Sequence, residues 1–338
     1  MSDSTLWITR CPVPTASSIA FDRGLLAAEL GDFEVTVCSL QDSPDPALRD
    51  AHFHHGLSGL IREGGNVPAL WARSAGADTR LVALTWVDEY QAILTADPQL
   101  DSPAALVGKR LGIPRHADAV IDFWAAMALR GFEAALSLAD LGLYDAELVD
   151  LPSARNETGW GPGRRAPRGA WDLEIEALRA GTVDAVYVKG APGVAAARPA
   201  EIHEVVEFGS HPDPRVRVNN GTPRTITVAA ELLEQEGLVA HFLATLLGAA
   251  DWAAANGDEM ARVLAAETGG DAAGVRDAYG AARLHPDLRD DWLDALDQER
   301  RFLLGQGLQD SDFEIASWVD PGPIAEAWEL VATARSAA

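Results

Sequence analysis

Cys11 sits in the stretch LWITRCPVPTASS, between a short apolar run and a cluster of small polar residues, and is followed by Pro12 and Pro14. The run reads as a strand and the helix after it as starting near Thr15 or Ala16. The thiol is then at a strand's C-terminal end, facing a helix N-terminus. The dipole and free N–H groups of such a terminus stabilise a thiolate, and open α/β sheets bind ligands at that edge. The two prolines fix backbone dihedrals around the thiol. From position alone, an inert buried cysteine is the competing reading. The other cysteine, Cys38, lies inside the strand FEVTVCSL on the face of Glu34 and Thr36 and reads as structural.

A second cluster is AHFHHGLSGLIREGGNVPAL, with His52, Phe53, His54 and His55, then Arg62, Gly64 and Gly65. His-x-His-His suits zinc or iron, but no carboxylate pattern completes a ligand set, so neither metal nor cofactor is expected. Arg62 before two glycines reads as an anion site. A guanidinium offers a two-pronged fork, and glycine N–H groups approach an oxyanion without a Cβ in the way. The plainer reading is a polar turn before a helix that starts near Pro68. Together, cysteine, histidine and arginine form a set suited to thiol chemistry on an anionic substrate. No Gly-x-Ser-x-Gly, phosphate-binding loop or dinucleotide fingerprint accompanies them, and GWGPG opens no strand–helix unit.

The elements that must position these residues alternate between strand and helix, the pattern of an α/β protein with mainly parallel sheets. ASSIAFDRGLLAAEL reads as one helix ending at Gly31, and TRLVALTW and EYQAILTA as consecutive strands of the first lobe. KRLGIP, the helix DAVIDFWAAMALRGFEAALSLADLGL, AELVDLP and VDAVYV belong to a second lobe. The loop SARNETGWGPGRRAPRGAW interrupts that lobe, and a helical C-terminal block returns to the first. Expected boundaries are 1–97 for the first lobe, 98–222 for the second and 223–338 for the return. The ligand cleft falls between the lobes.

Composition narrows the partners. The 338-residue chain has a formal net charge of −24, which opposes nucleic acid and anionic membranes. An anion site must therefore be built locally from arginine and backbone N–H groups. Runs such as LVAHFLATLLGAADW stop short of the about 18 apolar residues a membrane span needs. No secretory leader is evident at MSDSTLWITRCPVP, and two cysteines make no disulfide framework, so a cytoplasmic location is expected.

CPVP after a short strand, HF some forty residues on, and R-x-G-G-x-x-P-x-L ten residues after that histidine resemble the aryl sulfinate desulfinases of biodesulfurisation. LVGKRLGIP and LRAGTVDAVYV are similar to segments of periplasmic sulfonate- and nitrate-binding proteins. The resemblance implies a two-lobed, type II periplasmic-binding-protein-like α/β fold and a monomer. It also implies release of sulfite from an anionic aromatic sulfinate. Matched residue by residue, Cys11, His52 and Arg62 become catalytic, and the Gly65 N–H supports the sulfinate oxygens. Phe53, His55 and Phe132 are expected to meet the aryl rings. His55 stands where the family has a tyrosine, followed by Gly56 and Leu57, and the segment around Phe132 is shortened. The organic part of the substrate is therefore expected to differ. A non-catalytic binding protein for sulfonate-type anions is the alternative.

Overall fold

The protein is described by a computed structural model over residues 4–11, 13–153, 169–268, 271–280 and 282–337. Pro12 and most of the long Gly/Pro/Arg-rich loop, residues 154–168, lie outside the described residues.

The first sheet holds β1 (Ser4–Ile8), β2 (Val35–Ser39), β3 (Leu60–Gly64) and β4 (Thr79–Thr85). The second holds β5 (Gln91–Thr95), β6 (Arg110–Arg115), β7 (Glu147–Pro152), β8 (Ala185–Lys189) and β9 (His203–Glu207). The last strand, β10 (Arg224–Ala229), returns to the first sheet. Strand orders are β2-β1-β3-β10-β4 and β7-β6-β8-β5-β9. Within each sheet a single strand, β10 or β5, runs antiparallel to its neighbours. Each is the first strand the chain lays down after passing between sheets. Both therefore begin at the edge where parallel neighbours end, which brings β10's first residue beside the last residues of β3.

Helices α1 (Ala16–Asp22), α2 (Leu25–Leu30), α3 (Pro46–His54) and α4 (Asn66–Ser74) connect strands of the first sheet. The helix expected over ASSIAFDRGLLAAEL is two helices, because Gly24 takes a left-handed φ of 71° that a continuing helix cannot use. The helix expected near Pro68 starts at Asn66, and α3 begins at Pro46 inside a segment read as loop. There Asp45 accepts a hydrogen bond from the Ala47 N–H, and proline suits the first turn.

α5 (Phe123–Ser137), α6 (Asp172–Arg179) and α7 (Gly190–Ala197) pack on the second sheet. The C-terminal part supplies α8 (Leu238–Ala255), α9 (Gly257–Thr268), α10 (Ala272–Tyr279), α11 (Asp290–Gly305) and α12 (Gly322–Ala337).

Two expectations need correction. β5 belongs to the second sheet, so the first passage between lobes runs over residues 86–90, ahead of the boundary expected at 97. Every residue of β5 is buried, and such a strand carries no alternation to say which sheet it joins. The apolar run read as short forms an 18-residue helix, α8, long and apolar enough to span a membrane by composition. It is instead a core helix: Val239, Phe242, Leu243, Leu246 and Leu247 are buried in one cluster with Leu6 and Ile8 of β1 and Ile226 and Val228 of β10.

The two sheets share a continuous core. Phe53, Val67, Leu70, Leu81 and Leu84 from the first lobe lie in one buried cluster with Ile93, Ile113, Leu129, Phe132 and Val186 from the second. α11 adds Leu296, Phe302 and Leu303 to that cluster. The lobes are therefore packed against each other.

Candidate active site

The order β2-β1-β3 contains a reversal of strand order, the topological switch point at which α/β sheets open a crevice. Cys11 follows β1, and Gly64 and Gly65 end β3, so the two clusters singled out in the sequence flank that crevice. Their backbones are tied together. The Thr9 hydroxyl donates to the Glu63 carbonyl at 3.0 Å and accepts from the Glu63 N–H at 3.1 Å. The Glu63 carboxylate accepts from the Ser17 N–H at the start of α1 at 2.8 Å. Thr15 caps α1, its side chain accepting from the Ser18 N–H. Arg10 closes the other side, donating to Ser39 and Asp42 while its own N–H donates to Gln41. The result is a rigid strand-to-helix exit holding Cys11, which is 6% exposed.

The thiol, the guanidinium of Arg62 and the Gly65 N–H converge. A Cβ placed on Gly64 would lie 3.1 Å from the Cys11 sulfur and 3.3 Å from the Arg62 guanidinium carbon. Thiol and guanidinium thus face the same methyl-sized space. Burial pushes the Cys11 pKa up, against opposing pulls from Arg62, the Gly65 N–H, Arg224 and Lys189. Desolvation outweighs the cations, so at neutral pH Cys11 is a thiol and the expectation of a helix-stabilised thiolate is not met.

This has a direct consequence for reactivity. In a Cys38→Ser background, carbamidomethylation of Cys11 by iodoacetamide should still be rising with pH at pH 9, because only the thiolate reacts. A rate that levels off below pH 8 would contradict a protonated site.

Arg62 is 1% exposed and firmly held. Its Nε donates to the His52 carbonyl at 2.9 Å and its Nη1 to the Gly65 carbonyl at 2.8 Å, while Nη2 is 3.4 Å from His52 Nε2. Burial brings its pKa down to about 10, which leaves it charged across the neutral range. His52 and His55 are buried beside it, and desolvation first, then the Arg62 charge, holds both imidazoles well below their ordinary pKa. Both are neutral at pH 7.

The histidine run does not act as a unit. His52 and His55 turn inward, while His54 is exposed and accepts from the Gly56 N–H. Among the described residues, no group of three or more His, Cys, Asp or Glu is placed to hold a metal ion. His55 ends α3 with a left-handed φ of 53°, and its buried imidazole faces the His52 backbone.

Gly65 caps α4 and must be glycine, since a Cβ there would fall 2.4 Å from Asn220 Oδ1. Asn220 belongs to the return passage between lobes, and it finishes the cap. Its carbonyl accepts from the Asn66 N–H at 2.8 Å and its Oδ1 from the Val67 N–H at 2.9 Å. The second inter-lobe passage thus sets the orientation of the Gly65 N–H.

The aromatic residues divide. Phe53 stacks on Phe123 at the start of α5, ring centroids 5.9 Å apart. From Phe123 the contacts continue to Trp124 at 5.4 Å and Trp171 at 5.1 Å. This row crosses from the first lobe to the second. Phe132 is fully buried in the core between α5 and the second sheet, rather than in this row. Leu57 packs with Leu40, Ala51 and Leu60 in a small separate cluster. Sequence reasoning missed Phe123 and Trp124, whose helical spacing looks the same as core packing. It also missed three buried charges: Glu89, Lys189 and Arg224. The signal available was a charge at the end of an otherwise apolar strand, in AVYVK and RTITVA.

An open groove of about 1460 Å³ lies elsewhere on the molecule, between the first inter-lobe passage and the C-terminal helices. Trp86, Arg217 and Trp292 line it, and so does Glu89, but Cys11, His52, Arg62 and Gly65 do not. The converging thiol and guanidinium are enclosed, which fits chemistry away from bulk water better than the groove does.

No family model matches the chain. Over 94% of its length it is 28% identical to 2′-hydroxybiphenyl-2-sulfinate desulfinase from Rhodococcus erythropolis, covering 92% of that protein. This chain resembles a sulfinate desulfinase. The same identity and coverage hold for the enzyme from Rhodococcus qingshengii. Among solved structures, a cysteine-to-serine variant of DszB in complex with biphenyl-2-sulfinic acid superposes with a TM-score of 0.75 at 22% identity, over 97% of this chain and 99% of that one. The periplasmic aliphatic sulphonate-binding protein SsuA from Escherichia coli gives 0.67 at 14% identity, over 95% and 92%. The fold is therefore the two-lobed α/β fold of type II periplasmic binding proteins, as expected.

Proposed function

We propose that the protein is an aryl sulfinate desulfinase that cleaves the carbon–sulfur bond of 2′-hydroxybiphenyl-2-sulfinate or a related aryl sulfinate and releases sulfite. The observation that carries this reading is the enclosed meeting of a protonated Cys11 thiol, the Gly65 N–H and the Arg62 guanidinium. It occurs in a chain that matches a named desulfinase along nearly its whole length. The DszB complex adds that a structure of this fold, with a cysteine replaced by serine, holds biphenyl-2-sulfinic acid.

An aryl carbanion is too basic to leave unaided, so a proton must reach the ring carbon as the bond to sulfur breaks. Cys11 is placed to give it. The thiol S–H bond breaks, the C–S electron pair stays with the ring carbon as the new C–H bond forms, and sulfur leaves as neutral sulfur dioxide. Water then adds to sulfur dioxide, giving hydrogen sulfite and a proton that restores the thiol. The substrate anion beside Cys11 raises the thiol's pKa further, which favours the donor form. His52 is neutral and held against Arg62, so it orients the guanidinium, its carbonyl accepting from Arg62 Nε, and takes no part in the proton transfer. Arg62 and the Gly65 N–H align the sulfinate oxygens, and aligning the breaking bond is itself a large part of catalysis. The row Phe53–Phe123–Trp124 is the surface offered to the rings, and buried His55 is the group offered to a ring hydroxyl.

The alternative keeps the fold without the chemistry, as in SsuA. Incubation with 2′-hydroxybiphenyl-2-sulfinate and colorimetric detection of sulfite separates the two. Catalytic sulfite release over many turnovers is expected. Thermal stabilisation by the sulfinate with no sulfite formed would overturn the enzyme reading. Two free cysteines suit a thiol-keeping compartment, and we place the protein in the cytoplasm on that ground.

A further inference from the structure

Arg62 and Arg224 differ in one respect that matters for anion binding. Two of the five Arg62 N–H groups are already donated to the carbonyls of His52 and Gly65. Arg224 is fully buried, yet none of its Nε, Nη1 and Nη2 atoms has a hydrogen-bond partner among the described residues. Its nearest carboxylate oxygen is Glu89 Oε2 at 3.9 Å, beyond hydrogen-bond reach. The other Glu89 oxygen accepts from Lys189 Nζ at 2.8 Å. A buried guanidinium with no acceptor is costly, and proteins retain one where something else supplies the oxygens.

The location indicates what that something is. Arg224 opens β10, and the next residue, Thr225, is paired across the ladder with Gly64. Gly64 is the residue whose Cβ position touches both the Cys11 sulfur and the Arg62 guanidinium. Lys189 ends β8 at the facing edge of the second sheet. Three buried cations, Arg62, Arg224 and Lys189, thus meet two buried carboxylates, Glu63 and Glu89. Burial pushes the Glu63 pKa up, which weakens its counter-charge. The surplus is positive, inside a chain of formal charge −24.

We propose that Arg224 is a second anion-binding residue of this site, gripping an oxygen of the sulfur group in the bound sulfinate and in the departing sulfite. Arg62 then orients the group and Arg224 supplies the unengaged fork. The proposal deepens the desulfinase reading and rests on it for the identity of the substrate. Its test uses binding alone, so the two can fail separately.

Inorganic sulfite and sulfate are titrated by calorimetry into the wild type, Arg224→Gln and Arg224→Lys. Circular dichroism and melting temperature establish that each variant is folded. Sulfite affinity should fall at least tenfold in Arg224→Gln, about 1.4 kcal/mol, and recover in part in Arg224→Lys, which restores charge without the fork. Where sulfite is released from the aryl sulfinate, KM should rise in Arg224→Gln more than kcat falls. A folded Arg224→Gln that binds sulfite within twofold of wild type overturns the proposal. So does a wild type that binds neither anion.

A second variant guards against misfolding of the first. Glu89→Gln removes the carboxylate that competes for both Arg224 and Lys189, so sulfite should bind at least threefold tighter. Unchanged or weaker binding would mean that the cluster is structural only. Absence of sulfite release by a wild type that does bind sulfite through Arg224 would instead sink the desulfinase reading and leave this one standing.

Discussion

Cys11→Ser is expected to lower sulfite release from an aryl sulfinate by about 10³-fold, the scale of losing a positioned proton donor. A serine hydroxyl is several pKa units weaker as an acid than a thiol. It is also a poorer nucleophile, so the loss holds even if the sulfur attacks the sulfinate directly. The substitution is otherwise mild. Cys11 sits among Arg62, Gly64 and Gly65, and a serine oxygen can still accept from the Gly65 N–H. The variant should therefore keep the wild-type melting temperature within a few degrees and remain stabilised by the sulfinate. The measurement is the initial rate of sulfite formation beside a ligand-dependent melting curve. A folded variant retaining a tenth of the wild-type rate would remove Cys11 from the chemistry.

How much of this site could be read from the chain depends on which interactions are local. Cys11 was legible because a strand, a turn and a helix cap lie within a dozen residues, each with its own signal, down to Thr15 capping Ser18. β3 was not legible. Its sequence, LIREG, carries Arg62 and Glu63 at its middle, and two adjacent charges resemble a polar turn. They are buried because Glu63 reaches Ser17 and Arg62 reaches the His52 and Gly65 carbonyls. Nothing in the local pattern announces those partners. Phe132 illustrates the opposite limit: helical spacing says that it is buried but not against what, and the core took it. The start of α4 was misplaced by two residues because its cap comes from Asn220, 154 positions away from Asn66. Glu89, Lys189 and Arg224 meet only once both sheets exist, so their cluster belongs wholly to tertiary structure.

Arg62→Lys is the second large effect, and it should act on binding and stability together. A lysine retains the charge but presents one compact ammonium in place of the planar fork. It cannot serve the His52 carbonyl, the Gly65 carbonyl and a sulfinate at once. Whichever acceptor it abandons is left buried without a donor, and a lost hydrogen bond to a charged group costs about 1.5–3 kcal/mol. The melting temperature should fall by about 5 °C, taking the lower end of that cost with about 2–4 °C per kcal/mol for larger domains. Sulfinate affinity should weaken by about 30-fold or more. The sign of the pH dependence separates this from a general loss of fold. With a pKa of about 10, Arg62 stays charged from pH 6 to pH 9, so wild-type sulfinate affinity should be flat over that range and decline as pH approaches 10. In Arg62→Lys the ammonium inherits the same desolvated position from a lower starting pKa, so the decline should begin at lower pH. A variant with wild-type affinity and an unshifted alkaline limb would show that the guanidinium serves the carbonyls alone, and the sulfinate oxygens would then have to be held chiefly from β10.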